Sequence, residues 1–283
     1  MGENSKISWT NHTFNPWWGC QEVSPECDNC YARTLAQRYG YKEGGAHFPI
    51  WGKNKRRRFF GDKHWNEPAK WNRAAERAGV RQRVFCGSMC DVMEEVVNNA
   101  IASTREQVYS LIQRTPHLDW LLLTKRPQNF RRFLPEPWLE KPEPNVWGMT
   151  TVGCRKSLWR VEELRSTPFA VRGLSVEPLL EDLGRIDLTG IHWVIVGGES
   201  GAGARPFYQE WALSLAKQCK EARVAFWMKQ YGSNPWFEYL NPNVTSFDDL
   251  IPTKITLKDR IKGGDLDEWH EDLRIQQLPA VRA

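Results

Sequence analysis

The chain has 283 residues, 41% hydrophobic and 26% charged, with 39 basic against 34 acidic side chains and a formal net charge of +5. This balance, with no apolar run of the roughly 18 residues a bilayer span needs, excludes a membrane-spanning helical protein and a disordered chain. Seven cysteines, an odd number with Cys20, Cys27 and Cys30 close together, exclude a disulfide framework, and the start MGENSKISWTNHTFNPWWGC lacks a basic-then-apolar leader, so a cytoplasmic location is expected.

Trp9 to Trp17 reads as a first strand and Tyr31 to Tyr39 as the helix after it. Residues 41–80, rich in Gly, Trp and basic groups with little periodicity, read as an insertion. From Val84 to Gly232 short apolar runs alternate with helical stretches. The strands are expected at Val84 to Gly87, Trp120 to Thr124, Val146 to Thr151, Ala170 to Ser175, Trp193 to Gly197 and Ala225 to Lys229. Helices are expected near Asn98 to Arg114, Ser157 to Ser166 and Tyr208 to Glu221; in the first, Ile101, Val108, Leu111 and Ile112 recur at near-helical spacing and Thr115-Pro116 ends it. Such alternation predicts an α/β fold of parallel strands with crossover helices. Past Gly232 the composition turns to Asn, Pro and Asp, so 233–283 is expected to be an irregular extension packed on the 1–232 domain.

In parallel α/β folds the ligand sits at the carboxyl ends of the strands. Those ends are polar or small here: Gly87-Ser88 with Asp91, Thr124-Lys125-Arg126, Thr150-Thr151, Ser175 with Glu177, Gly197-Gly198-Glu199-Ser200, and Lys229-Gln230. Within the insertion, Lys53, Lys55, Arg56, Arg57 and Arg58 precede Phe59 and Phe60. Such a run either grips phosphates beside stacking aromatics or is a solvated loop.

Cys20, Cys27 and Cys30 give the spacing C-x6-C-x2-C between the first strand and its helix. Three thiolates on one loop can hold three corners of a 4Fe-4S cluster, whereas structural zinc wants a fourth ligand, from His12, His47, Cys86 or Cys90. Buried cysteines without a metal are the third reading. A cluster with an open corner can chelate S-adenosylmethionine and pass it one electron, the cofactors supplying the chemistry.

A three-cysteine loop after the first strand resembles the radical S-adenosylmethionine superfamily, with a first gap of six where that superfamily has three, and with Asn29 where an aromatic often precedes the third cysteine. The stretches TFNPWWGCQEVSPECDNCYA, RVFCGSMCDVM, WLLLTKRPQNF, NVWGMTTV, LSVEPLL, WVIVGGESGAGARP and FWMKQYG resemble successive blocks of the phage and prophage three-Cys-motif radical S-adenosylmethionine-like family. They extend from about Ser8 to Gly232, with a weaker likeness at Gly263 to Pro279. The resemblance implies a partial (β/α)6 TIM-like barrel of the radical SAM type with an insertion and a C-terminal extension. It implies a 4Fe-4S cluster on Cys20, Cys27 and Cys30, with Cys86 and Cys90 outside the ligand set. Trp17 and Trp18, adjacent to the first cysteine, either shield the cluster or stack a base.

Ser88 and Asp91 are then expected to contact S-adenosylmethionine after the second strand. Glu177, Thr124 and Lys125 are expected at its carboxylate or ribose hydroxyls, Gly197 and Gly198 allow close backbone approach, and Glu199 points into the mouth. Lys229 and Gln230 are expected to meet substrate, and Lys55, Arg56, Arg57 and Arg58 nucleic acid. The implied activity is hydrogen-atom abstraction from a nucleobase or nucleotide in phage DNA, in its sharpest form isomerisation of an amino-acid adduct on a thymine methyl. The partners are DNA or a modified nucleotide and an electron donor such as flavodoxin or ferredoxin, in the host cytoplasm. A tRNA-modifying or DNA-repair radical enzyme and a zinc-stabilised nucleic-acid-binding protein are the alternatives.

Overall fold

The computed structural model describes residues 2–43, 46–95, 99–240 and 250–280. Its main sheet contains β1 (His12–Phe14), β2 (Gln82–Cys86), β3 (Leu118–Thr124), β4 (Val146–Thr151), β5 (Val171–Val176), β6 (Trp193–Gly197) and β7 (Ala225–Gln230). The strand order is the chain order, β1 to β7 without reversal, and the registers are parallel. A doubly wound sheet reverses its order at a switch point; an order that never reverses is the connectivity of a β/α barrel. The fold is therefore mixed α/β, compatible with a TIM-like partial barrel. Helices α1 (Tyr31–Tyr39) and α2 (Glu67–Ala78) lie between β1 and β2, α3 (Asn99–Gln113) between β2 and β3, α4 (Trp159–Ser166) between β4 and β5 and α5 (Gln209–Ala222) between β6 and β7; two short helices, Phe130–Phe133 and Glu136–Glu140, join β3 to β4, and β5 passes to β6 without a helix.

The strands read as apolar runs because both faces are covered. Trp193, Val194, Ile195 and Val196 are all buried along β6, and Trp120, Leu121 and Leu122 along β3. Helix α3 buries the predicted Ile101, Val108, Leu111 and Ile112, and the Thr115 hydroxyl closes its end by donating to the Leu111 carbonyl at 2.8 Å. The chain divides into two compact units, one built from Met1–Thr150 and Glu162–Arg172, the other from Thr151–Val161 and Gly173–Val281.

In the first unit, Phe14 meets Trp120 edge-on at 5.6 Å, and His12 stacks on Trp71 of α2 at 4.5 Å. The insertion carries more order than its composition suggested. Trp17–Trp18 pairs antiparallel with Arg58–Phe59, a hairpin joins Tyr41–Glu43 to Ala46–Phe48, and α2 supplies the crossover from β1 to β2. The outer edge of β1 is covered as well, since Thr13 N–H donates to the Gly2 carbonyl at 3.0 Å.

In the second unit, the expectation of an irregular tail is corrected in part. Pro235–Leu240 pairs antiparallel with Leu250–Lys254 and parallel with Phe207–Tyr208 in a three-stranded sheet. Farther on, the tail runs antiparallel along β7: Met228 N–H donates to the Ile275 carbonyl at 2.8 Å and Gln277 N–H to the Phe226 carbonyl at 2.9 Å. Pairing along an exposed edge satisfies backbone groups that would otherwise template foreign strands. Among the described residues no helix is long and apolar enough to cross a membrane.

Candidate functional site

After β1, Trp17–Trp18 turns the chain into Gly19, whose φ of +112° is closed to most side chains. A Cβ there would stand 2.2 Å from the Ile50 carbonyl oxygen and 2.8 Å from Arg57 Cδ. Only glycine lets the chain pass this close and enter Cys20, whose carbonyl accepts from Gly52 N–H at 2.8 Å. Cys27 ends a 3-10 turn, Pro25–Cys27, and is buried; its Sγ lies 3.9 Å from Ser24 Oγ. Cys30 stands at the N-terminal cap of α1, and its carbonyl accepts from Arg33 and Thr34. Beneath the loop, Ala32, Ala36, Ile50 and Met89 form a buried cluster with Trp18, Cys30, Leu35 and Trp51 packed on it. Trp18 is thus the tryptophan beside the cysteines, while Trp17 is buried with Cys90 and Ile101.

The turn after β2 is stapled to this loop. Asn15 donates through Nδ2 to Ser88 Oγ at 2.9 Å and accepts from Met89 N–H at 2.6 Å, Gly19 N–H reaches the Met89 carbonyl at 3.0 Å, and Tyr31 OH donates to the Ser88 carbonyl at 3.0 Å. Asp91 follows, 5% exposed and surrounded by donors. Its Oδ1 accepts from Thr124 Oγ1 at 2.7 Å and Met93 N–H at 3.0 Å; its Oδ2 accepts from Lys125 N–H at 3.2 Å and Arg126 Nη1 at 2.8 Å. The polar atoms of Asp91 and Thr124, both expected at the cofactor, are engaged in fixing the start of the loop after β3. Lys125 is half-buried, and among the described residues its ammonium forms no hydrogen bond or ion pair.

Arg126, which sequence reasoning left without a role, brings this network to the cysteines. Nη1 lies 3.8 Å from Cys20 Sγ and Nη2 donates to the Gln21 carbonyl at 2.7 Å. Burial pushes the Cys20 thiol up to about 12, with Arg126 pulling the other way. For Arg126 burial opposes the charge, but Asp91, then Cys20 and Glu94, outweigh it and raise its pKa. No signal in the sequence joins residues 20, 91 and 126; only the folded strands do.

The basic run splits. Lys55 and Arg56 are exposed, Arg56 lying over Phe48 at 5.2 Å, while Arg58 is half-buried over Trp18 at 5.0 Å and Phe60 at 5.3 Å. For Arg57 the expectation of a phosphate contact is corrected, because its side chain is 0% exposed and paired with Glu94, Nε to Oε2 at 3.0 Å.

In the second unit, Lys229 Nζ lies 2.6 Å from Glu177 Oε1, off the axis of a good hydrogen bond. A Cβ on Gly197 would come within 3.1 Å of that same oxygen, and one on Gly198 within 2.2 Å of the Tyr231 carbonyl. Both glycines serve close packing of the chain's own atoms. Gln230 donates through Nε2 to the Gly198 carbonyl at 2.9 Å. Glu199 is not free to point into a mouth: Arg205 clasps it through Nε, at 3.1 Å from both oxygens, and through its own backbone N–H at 2.9 Å.

The first unit thus carries three free thiols on one loop, with a cation at the first, a helix start at the third and an apolar cluster against the third. Among the described residues no three His, Cys, Asp or Glu side chains converge as ligands of a single ion. The residues offered as a fourth zinc ligand have these surroundings. His12 bonds Gln82 Oε1 at 2.7 Å and accepts from Asn4 N–H at 3.3 Å, burial raises the pKa of Cys86 and Cys90, and the His47 side chain lies outside the described residues.

The family described as Protein of unknown function (DUF5131) matches residues 4–268. No curated protein and no solved structure matches the chain.

Proposed function

We propose that this chain, which belongs to the DUF5131 family, is a radical S-adenosylmethionine enzyme of the partial-barrel type that acts on a nucleobase. The observation that carries this reading is the loop that leaves β1 and enters α1 with three free thiols, Cys20, Cys27 and Cys30, over an apolar floor. These thiols would hold a 4Fe-4S cluster. Bound together, cluster and S-adenosylmethionine supply one-electron cleavage of the sulfonium, giving methionine and a 5′-deoxyadenosyl radical that takes a hydrogen atom from substrate.

The chain's own residues provide the setting. Ala36, Ile50 and Met89 give Cys30 an apolar support, with Trp18 packed beside it. Asn15 and Tyr31 fix the Ser88 turn against the loop. Asp91 and Thr124 orient the segment that carries Lys125, whose ammonium suits the carboxylate of methionine. Lys55, Arg56 and Arg58, with Phe60 and Trp18 alongside, suit a polyanion, and the reading extends to phage DNA. Its sharpest form is isomerisation of an amino-acid adduct on a thymine methyl, the bond moving from nitrogen to the α-carbon, on a base flipped from the stack. A flavodoxin or ferredoxin would supply the electron.

The test is anaerobic purification with iron, sulfide and zinc analysis, then dithionite reduction with S-adenosylmethionine and assay for 5′-deoxyadenosine. About four irons per chain, lost in Cys20→Ala, with 5′-deoxyadenosine formed, is the expected result. Stoichiometric zinc without iron and without cleavage overturns the reading and leaves a metal-stabilised binding protein.

A further inference from the structure

The three thiols have unequal surroundings. Cys27 meets the neutral Ser24 hydroxyl, and Cys30 sits at a helix start, but Cys20 faces a full positive charge. That charge is fixed. The Arg126 side chain is 7% exposed, Nη1 is held 2.8 Å from Asp91 Oδ2, and Nη2 is held by the Gln21 carbonyl. Asp91 in turn accepts from Met93, Thr124 and Lys125, and Thr124 Oγ1 accepts from Arg126 N–H at 2.8 Å. A carboxylate with four donors cannot swing away without leaving buried groups unpaired. The network therefore presents one nitrogen of a buried guanidinium to the sulfur of the first cysteine.

We propose that Arg126 is a positioning residue that acts through Cys20 to set the reduction potential of the cluster this loop holds, an inference that rests on the reading of the preceding section. Reduction adds one negative charge to the cluster and its thiolates. A neighbouring cation and an N–H directed at a ligand sulfur stabilise the reduced state more than the oxidised one, which raises the potential. Asp91 limits the effect and fixes its geometry, because it shares the same guanidinium. A loop clamp without electrostatic consequence is the plain alternative, since Nη2 also ties down residue 21.

The experiment reconstitutes the wild-type chain, Arg126→Gln and Arg126→Lys anaerobically with iron and sulfide, and measures iron content and a dithionite redox titration followed by electron paramagnetic resonance. All three should hold the same iron. At a fixed ambient poise the ratio of reduced to oxidised cluster in Arg126→Gln should fall about tenfold, equivalent to about 59 mV for one electron, and in Arg126→Lys by less. If Arg126→Gln alone loses iron, Arg126→Lys decides, a potential below wild type supporting the proposal and an equal one overturning it. Wild-type potentials in both variants, or loss of iron from both, make Arg126 a clamp only and overturn it. A wild-type chain that binds no four-iron cluster removes the functional reading itself, and this inference with it.

Discussion

Replacing Glu94 with Gln leaves Arg57 charged, buried and without its counterion. The side chains are 0% and 2% exposed, joined by Nε to Oε2 at 3.0 Å and Nη2 to Oε1 at 2.5 Å. The remaining nitrogen, Nη1, donates to the carbonyls of Ile50 at 3.2 Å and Lys55 at 2.8 Å, so the guanidinium cannot turn to water without breaking the loop that backs Gly19. Removing one partner of such a pair costs about 3–5 kcal/mol. At roughly 2–4 °C per kcal/mol for a unit of this size, the melting midpoint should drop by about 10 °C. The double variant Arg57→Met with Glu94→Leu should recover part of that loss, because the charges leave together, but not all, because the carbonyls keep no donor. Circular dichroism melts at neutral pH, in low and high salt, provide the assay; the loss should persist in high salt because a buried pair is poorly screened. A midpoint for Glu94→Gln within about 2 °C of wild type would refute the argument, since the burial penalty of about 3 kcal/mol or more would then be absent.

In a urea titration Gly19→Ala should cost at least about 3 kcal/mol, from positive-φ strain added to a 2.2 Å approach to the Ile50 carbonyl, and should lower iron retention; Gly61→Ala, with open space around its Cβ but an N-cap glycine lost, should cost about 1 kcal/mol or less. Burial lifts the Cys20 and Cys219 thiols from 9.0 to about 12, so the folded chain keeps protons that the unfolded chain releases near 9.0. The stability this contributes is complete below that value and declines as pH rises toward about 12. Urea midpoints of the reduced, metal-free chain should therefore fall between pH values of about 8 and 10.5, less steeply in Cys219→Val; a flat profile counts against it. The triple variant Lys55→Ala, Arg56→Ala, Arg58→Ala should reduce the slope of log binding constant against log salt for duplex DNA by up to about 2.7, and an unchanged slope would place DNA contacts elsewhere.

Helix α1 was legible to the residue, and α3 and α5 to within one residue at each end, because their apolar positions recur at helical spacing. The strands from β2 to β7 were legible as apolar runs for the reason that makes them core, burial on both faces. Trp9 to Trp17 was read as one strand where Asn15-Pro16 separates β1 from Trp17–Trp18, since proline withdraws a backbone donor. Pro235–Leu240 and Leu250–Lys254 were missed because Asn and Pro around them mimic loop composition. Of the candidate site, the cysteines were visible because one loop carries all three. Arg57 looked like its basic neighbours although it is buried, and Arg126 was invisible as a partner of Cys20 because 106 residues separate them.

The strip of tail along β7 also has a consequence in time. A ribosome delivers β7 well before residues 275–277, so the Phe226 carbonyl and Met228 N–H of the second unit wait unpaired while the intervening chain is made. The outer edge of β1 has no such wait, because Gly2, which covers it, emerges before that strand. Synthesis thus hands chaperones an asymmetric client, whose β1 edge is covered as it emerges and whose β7 edge stays open until residues 275–277 arrive.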